Sequence, residues 1–272
     1  MKVKTVNACT LDDVLAVWNE GFSNYFVPIS MNLSELLERV VQEEISLEHS
    51  FIVYDDLRPV GILLNAFRTT SKRMAWNGGT AIVPDYRGKG VSTLLMKHTL
   101  EMYAEQNIDV AYLEAISENE KAISLYEKYG YTIEDELIFA HGLLQQEECT
   151  LQMELLLPEQ FMHHPLLRDD VPWQCRPQSV NSGEVLLFHE GHESEAVGYV
   201  IMKRIFADNV LQKIALYQIE ATHADYLQQM LNALAAFNVP ITTINVPKSN
   251  PVWALLPQFQ INITQVHMKR TM

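Results

Sequence analysis

Val83-Pro84-Asp85-Tyr86-Arg87-Gly88-Lys89-Gly90 decides how this chain of 272 residues is read, because it joins an apolar stretch to an amphipathic one. Downstream of it, Val91, Leu94, Leu95, His98 and Met102 fall at i, i+3, i+4, i+7 and i+11, the spacing of one helix face. A helix therefore starts directly on the loop. The N–H groups of its first turn have no partners within the helix, and they converge with the positive end of the helix dipole on whatever lies above them. Glycines let the backbone approach a phosphate with no Cβ in the way. The loop predicts an anion cradle, although a ligand-free turn has the same appearance when seen alone. A Walker A loop is excluded because G-x-x-x-x-G-K-[ST] is absent, and Thr93 stands where G-x-G-x-x-G needs its third glycine.

Working outward, the N-terminal side predicts a short strand over 1–7, a helix opening at Thr10-Leu11-Asp12-Asp13, and a second helix over Met31 to Glu44. Between the helices lies an aromatic connector, Phe22-Ser23-Asn24-Tyr25-Phe26-Val27-Pro28. Phe51 to Tyr54 and Val60 to Phe67 predict a hairpin, and Met74 to Val83 a third strand leading into the loop. On the other side, Val110 to Ile116 predicts a strand and Asn119 to Tyr129 a helix stopped by Gly130. Strand, glycine loop, helix, strand and helix in succession define an α/β core.

Composition narrows the function classes. Twenty Lys and Arg against 34 Asp and Glu leave a net charge of -14, which would repel a phosphate backbone and excludes nucleic acid as a direct partner. The acidic balance is a solvated surface, or a field that draws cationic substrates. No apolar run is long enough for a signal core or a membrane span, so a cytoplasmic protein with no membrane partner is expected. Cys9, Cys149 and Cys175 are odd in number and far apart, which argues against both a disulfide framework and a zinc site.

The loop and helix are followed by Tyr112-Leu113-Glu114-Ala115 and then by Asn119-Glu120-Lys121-Ala122-Ile123-Ser124-Leu125-Tyr126-Glu127-Lys128-Tyr129-Gly130-Tyr131. Together these motifs resemble the GNAT-type N-acetyltransferases, over roughly residues 3 to 140. The family's R/Q-x-x-G-x-G/A falls on Arg87, Gly90 and Ser92, so its last position departs from the pattern. The resemblance implies a mixed twisted α/β sheet whose central parallel strands splay apart to hold acetyl-CoA. It implies backbone contacts from Ile82 and Val83 to the pantetheine arm, and amides of Arg87, Gly88, Lys89, Gly90, Val91 and Ser92 around the pyrophosphate. Asn119 would meet the pantetheine amide while also fitting a helix N-cap, and Lys128 would approach the adenosine phosphates.

Acetyl transfer needs a deprotonated amine, a stabilised oxyanion and a proton for the leaving thiolate. Tyr126 stands where the family often places its thiolate-protonating tyrosine, and a phenol of pKa about 10 holds its proton at neutral pH; packing on the inner helix face is the plainer role. Glu114, in a Leu-Glu-Ala context, matches the family's water-mediated general base, or is an ion-paired strand carboxylate. Phe22, Tyr25, Phe26, Pro28 and Met31, with Trp76 and Asn77 on the preceding strand, are the candidate acceptor-site lining or else core. The implied activity is transfer of acetyl to a primary amine of a small molecule or peptide by direct attack. The alternative is a non-catalytic acyl-CoA-binding or amine-sensing module of the same fold.

The domain reading is a catalytic unit over 1–145, a proline-punctuated linker with the last strand of the first domain over 146–180, and a smaller α/β domain over 181–272. Within the last, Val185 to Phe188, Ala196 to Met202, Ile214 to Ile219, Ile241 to Val246 and Ile261 to Met268 predict strands, and Tyr226 to Phe237 a helix. This order resembles a degenerate second copy, in tandem with the first. Its loop reads Glu220-Ala221-Thr222-His223-Ala224-Asp225, with no glycine and two acids, which would repel a pyrophosphate. Such a unit would complete the acceptor pocket, brace the first domain or form a homodimer surface. His163-His164 and His189-Glu190-Gly191-His192 do not match H-E-x-x-H and are expected to be surface residues rather than metal ligands.

Overall fold

The computed structural model describes residues 1–27, 29–168, 170–191 and 195–272; Pro28 and His192, both named above, lie outside them. The chain divides into two compact units, Met1–Glu134 with His267–Met272, and Asp135–Val266.

Unit 1 begins with β1 (Lys2–Thr5), α1 (Leu11–Gly21) and α2 (Leu33–Gln42). Thr10 caps α1 by accepting from Asp13 N, and Asn32 and Glu35 close a capping box on α2, so two side chains fix where these helices start. The buried stripe of α1 is Val14, Val17, Trp18 and Gly21, and each buried valine contributes roughly 1.5–3 kcal/mol. Then come β2 (Ile45–Asp55), β3 (Arg58–Thr69) and β4 (Arg73–Ile82), all antiparallel neighbours. They lead through the glycine loop into α3 (Val91–Glu105), β5 (Val110–Ile116), α4 (Glu120–Lys128) and the first residues of β6 (Thr132–Gly142). In β2 through β5 the core is nearly continuous, because α1 packs on β3 and β4 while α3 packs on β2 and β3.

One feature of the sheet positions the site. β5 runs parallel to β4, and the pairing extends only from Met74↔Val110 to Asn77↔Leu113. Beyond that pair β4 continues to Ile82 and β5 to Ile116, so the two strands part. A bulge at Gly78 shifts the β3–β4 register between Leu64 and Asn65, bending β4 where the parting begins. Glycine is required there: a Cβ on Gly79, at φ +150, would lie 2.6 Å from Trp18 Cη2.

Unit 2 contains β7 (Gln152–Leu156), α5 (Pro158–Phe161), β8 (Glu184–His189), β9 (Ala196–Ala207), β10 (Val210–Ala221), α6 (Ala224–Ala235), β11 (Ile241–Thr243), β12 (Val246–Pro247) and most of β13 (Gln260–Thr271). β8, β9 and β10 form an antiparallel meander, α6 follows, and β11 returns parallel to β10. That repeats the order β2, β3, β4, α3, β5 of unit 1. Its core joins Leu227, Met230, Leu231 and Leu234 of α6 to Val200, Met202, Ile214 and Leu216 of the meander.

Two readings of the sequence are corrected here. The strand expected to close the first domain, 150–156, pairs with β8 and belongs to unit 2. The unit boundary falls inside β6, at Glu134/Asp135, and the last six residues return to unit 1, where β13 follows β5 in the sheet order. β6 itself has no counterpart in the sequence reading, because Glu134-Asp135-Glu136 hides its alternation. Those charges are met by Lys269 and Lys248.

Candidate active site

A cleft of ≈ 560 Å³ opens where β4 and β5 part. At one end lies the glycine loop. Gly88 and Gly90 sit at φ +75 and +84, and a Cβ at either would meet nothing within 4 Å. Gly90 is the N-cap of α3 and offers no side chain to cap it, so the first-turn N–H groups of α3 have no capping partner. The loop is held by Arg87, whose Nη2 donates to Gly21 O at 2.8 Å and Nε to Ile82 O at 3.2 Å. A guanidinium on the last carbonyl of α1 is favoured by that helix's dipole. Loop and helix end are thereby fastened together.

At the other end Tyr126 projects from α4. It is 7% exposed, and Thr80 and Asn77 lie within hydrogen-bonding reach of its phenol. Burial raises its pKa above 10, outweighing those hydrogen bonds, so the phenol keeps its proton across the neutral range. Asn119 is the N-cap of α4, its Oδ1 accepting from Ala122 N at 3.3 Å, and its Nδ2 donates to Tyr25 Oη at 3.2 Å. Tyr25 is likewise raised, chiefly by burial. Trp18, Phe22, Tyr25 and Phe26 form a chain of ring contacts at 4.6, 5.0 and 5.2 Å, which carries the aromatic connector along one wall of the cleft.

Of the residues singled out from sequence, Phe22, Tyr25, Phe26, Ile82, Arg87, Gly88, Ser92, Asn119 and Tyr126 line this cleft. Others do not. Val83 is fully buried and its N–H donates to Val60 O at 3.1 Å, so it has no amide to offer a ligand. The Val91 side chain is core. Lys89 reaches over the Tyr86 ring, and Gly90 is the N-cap of α3. Lys128, in the last turn of α4, lies outside the lining; Lys121, in its first turn, lies inside. Met31 is tied by its N–H and carbonyl to Asn19.

Trp76, Asn77 and Glu114 also stand outside the lining. Asn77 is 4% exposed and bonds Thr80 Oγ1 and Gly79 N. Trp76 Nε1 donates to Glu114 Oε2 at 2.7 Å, and Glu114 Oε1 lies 3.0 Å from His267 Nδ1. Thr80 and Glu118 were missed, although both flank residues that were named. Among the described residues no group of His, Cys, Asp and Glu is arranged to hold a metal, and no helix is long and apolar enough to cross a membrane. The three cysteines are free.

In unit 2, the turn between β10 and α6 has no glycine at positive φ. Its Glu220 is engaged by Arg168 at 3.4 Å and by Asn250 at 3.1 Å.

Residues 14–131 match the acetyltransferase (GNAT) family. Over 163 residues the chain is 28% identical to the spermidine N(1)-acetyltransferase of Escherichia coli K12, covering 59% of this chain and 81% of that one. It is 32% identical to N-alpha-acetyltransferase 30 of Schizosaccharomyces pombe over 87 residues, 31% of this chain and 57% of that one. The fold of the whole chain is similar to a GCN5-related N-acetyltransferase from Anabaena variabilis, with TM-score 0.67 and 18% identity, over 99% of this chain and 72% of that one. A putative acetyltransferase from Pyrococcus horikoshii is similar over 100% and 89%, with TM-score 0.66 and 15% identity. Residues 14–131, which carry this cleft, thus match the GNAT acetyltransferases, a family of enzymes that take their acyl group from acetyl-CoA. The open glycine positions and uncapped α3 N-terminus fit that donor's pyrophosphate.

Proposed function

We propose that the chain acetylates a primary amine of a small cationic molecule or peptide, with Tyr126 as general acid. Acetyl-CoA, when bound, supplies an activated thioester. The observation that carries the reading is the Tyr126 phenol, inside the cleft, kept protonated by burial and reached by Thr80 and Asn77. The amides of Gly88, Gly90 and Ser92 would hold the pyrophosphate, with Arg87 fixing their loop and Lys121 adding a cation at the cleft. Tyr126 holds its proton at Oη until a thiolate departs, and the phenol then donates it. Because its pKa lies above 10, this donor stays loaded well past neutrality.

A polyamine is the first acceptor class to test. The net charge of -14 draws cations, Glu118 and Glu120 line the cleft, and one relative is named for spermidine. The experiment is steady-state thiol release with spermidine, and with a peptide carrying a free N-terminus, comparing wild type with Tyr126→Phe. Loss of a general acid lowers kcat by roughly 10²–10⁴-fold, with acetyl-CoA affinity kept. A kcat unchanged in Tyr126→Phe removes the phenol from this role.

A further inference from the structure

Glu114 does not face the cleft as a free carboxylate. It is the centre of a buried cluster in unit 1, with side chains 6% exposed at Glu114 and 9% at His267. Oε2 accepts the Trp76 indole N–H at 2.7 Å and Oε1 faces His267 Nδ1 at 3.0 Å. The imidazole is stacked on Tyr112, with ring centroids 5.3 Å apart and planes 10° from parallel. A carboxylate can only accept, so in the neutral imidazole facing it the proton belongs on Nδ1 and the lone pair on Nε2. Nε2 has no hydrogen-bond partner among the described residues. This is the logic of a carboxylate that sets the tautomer and plane of a histidine.

The position of the cluster gives it meaning. Glu114 is the first β5 residue beyond Asn77↔Leu113, the last β4–β5 pair, so it stands at the fork of the parting strands. Side chains alternate across a sheet. Asn65, paired with Asn77, accepts from Tyr103 of α3, which places Asn77 and Leu113 on the α3 face. Trp76, Tyr112 and Glu114 therefore occupy the opposite face. Tyr126, beside Asn77 and Thr80, approaches the fork from one side and the Glu114–His267 pair from the other. A thioester lying between the parted strands is open to both faces, so the phenol can serve the leaving sulphur from one while an imidazole serves the incoming amine from the other.

We propose that His267, oriented by Glu114 and Tyr112, is the proton acceptor for the incoming amine, and that Glu114 is its positioning residue. This rests on the acetyltransferase reading above. One proton leaves the ammonium for His267 Nε2 and passes on to water. The freed nitrogen pair forms the C–N bond as the carbonyl π pair moves onto oxygen; that pair returns as the C–S bond breaks, Tyr126 Oη gives its proton to the departing sulphur and regains one from water, and the amide nitrogen sheds its second proton through His267 to water. The charged groups around His267 leave this assignment intact. Glu114 and Tyr112 of β5 meet it, while on its own strand Lys269 pairs with Glu134 at 3.4 Å and Arg270 bonds the Tyr129 carbonyl.

The test combines two readouts. Long-range ¹H–¹⁵N spectra of the ligand-free chain report the His267 tautomer, assigned by its disappearance in His267→Gln. The proton is expected on Nδ1 in wild type, with that preference lost in Glu114→Gln. In spermidine assays, His267→Gln and His267→Asn are expected to lower kcat by roughly 10²-fold or more and to remove the acidic limb of the pH–rate profile, with acetyl-CoA affinity by calorimetry unchanged. That retained affinity shows the variants fold. A proton on Nε2, or a kcat within threefold of wild type with the limb intact, overturns the proposal. A wild-type chain that acetylates neither spermidine nor a peptide overturns the acetyltransferase reading and this role with it, while the tautomer still reports whether the pair forms.

Discussion

Replacing Gly88 by alanine separates the cost of bending the loop from the cost of filling its cradle. Gly88 sits at φ +75, where an L-residue is disfavoured by roughly 1–2 kcal/mol. A Cβ there meets no atom within 4 Å, so no packing term is added. For a chain of this size each kcal/mol moves Tm by about 2–4 °C, so Gly88→Ala is expected to unfold about 2–8 °C below wild type. Binding suffers separately. The methyl group stands in the space a pyrophosphate needs, and losing one charge-assisted hydrogen bond costs about 1.5–3 kcal/mol, which is tenfold or more in affinity. Calorimetric titration with acetyl-CoA and a thermal melt on the same sample measure both. Gly191→Ala, also open around its Cβ but without a positive φ, is the control and should change neither. A Gly88→Ala protein that melts early yet binds acetyl-CoA as wild type would refute the cradle, because the backbone would have paid the strain without any ligand meeting the methyl.

Two further outcomes follow from packing and charge. Gly79→Ala drives a Cβ to 2.6 Å from Trp18 Cη2, and overpacking of this kind costs about 1–3 kcal/mol; a denaturant melt should show it, and an unchanged midpoint would mean that α1 yields freely. In unit 2 the Arg168 hydrogen bonds hold the Asp170 pKa below its ordinary value. A depressed carboxylate adds stability above its unfolded pKa and loses it as pH falls through the folded one. Asp170→Asn should therefore flatten the decline of Tm below about pH 4, and an unaltered decline would show that the pair contributes nothing in acid.

What the sequence revealed follows from how local each signal is. α3, β5 and α4 were legible because period and caps lie within a few residues of one another: β5 was placed at Val110–Ile116, and Asn119 and Gly130 bracket α4. The second unit's meander was legible for the same reason. β6 was not, since its acidic first half is neutralised by Lys269 and Lys248, far away in sequence. The return of 267–272 to unit 1 was equally hidden, and with it the partner of Glu114. A strand glutamate in a Leu-Glu-Ala context gives no sign that a histidine 153 positions later meets it at 3.0 Å. Trp76 and Asn77 were named for the acceptor wall from their place on the strand before the loop, which gives no sign that one side chain meets Glu114 and the other Thr80. Lys128, named for the adenosine phosphates, lies in the last turn of α4, whereas Lys121 of the first turn lines the cleft.

The central claim is that one cleft, between β4 and β5 of unit 1, takes acetyl-CoA. Calorimetric titration of the whole chain with acetyl-CoA tests it most directly. The account predicts saturable binding at one site per chain, lost when Gly88 and Gly90 are both replaced by valine. Binding that survives that double replacement, two sites per chain, or no saturable heat at millimolar donor would contradict it.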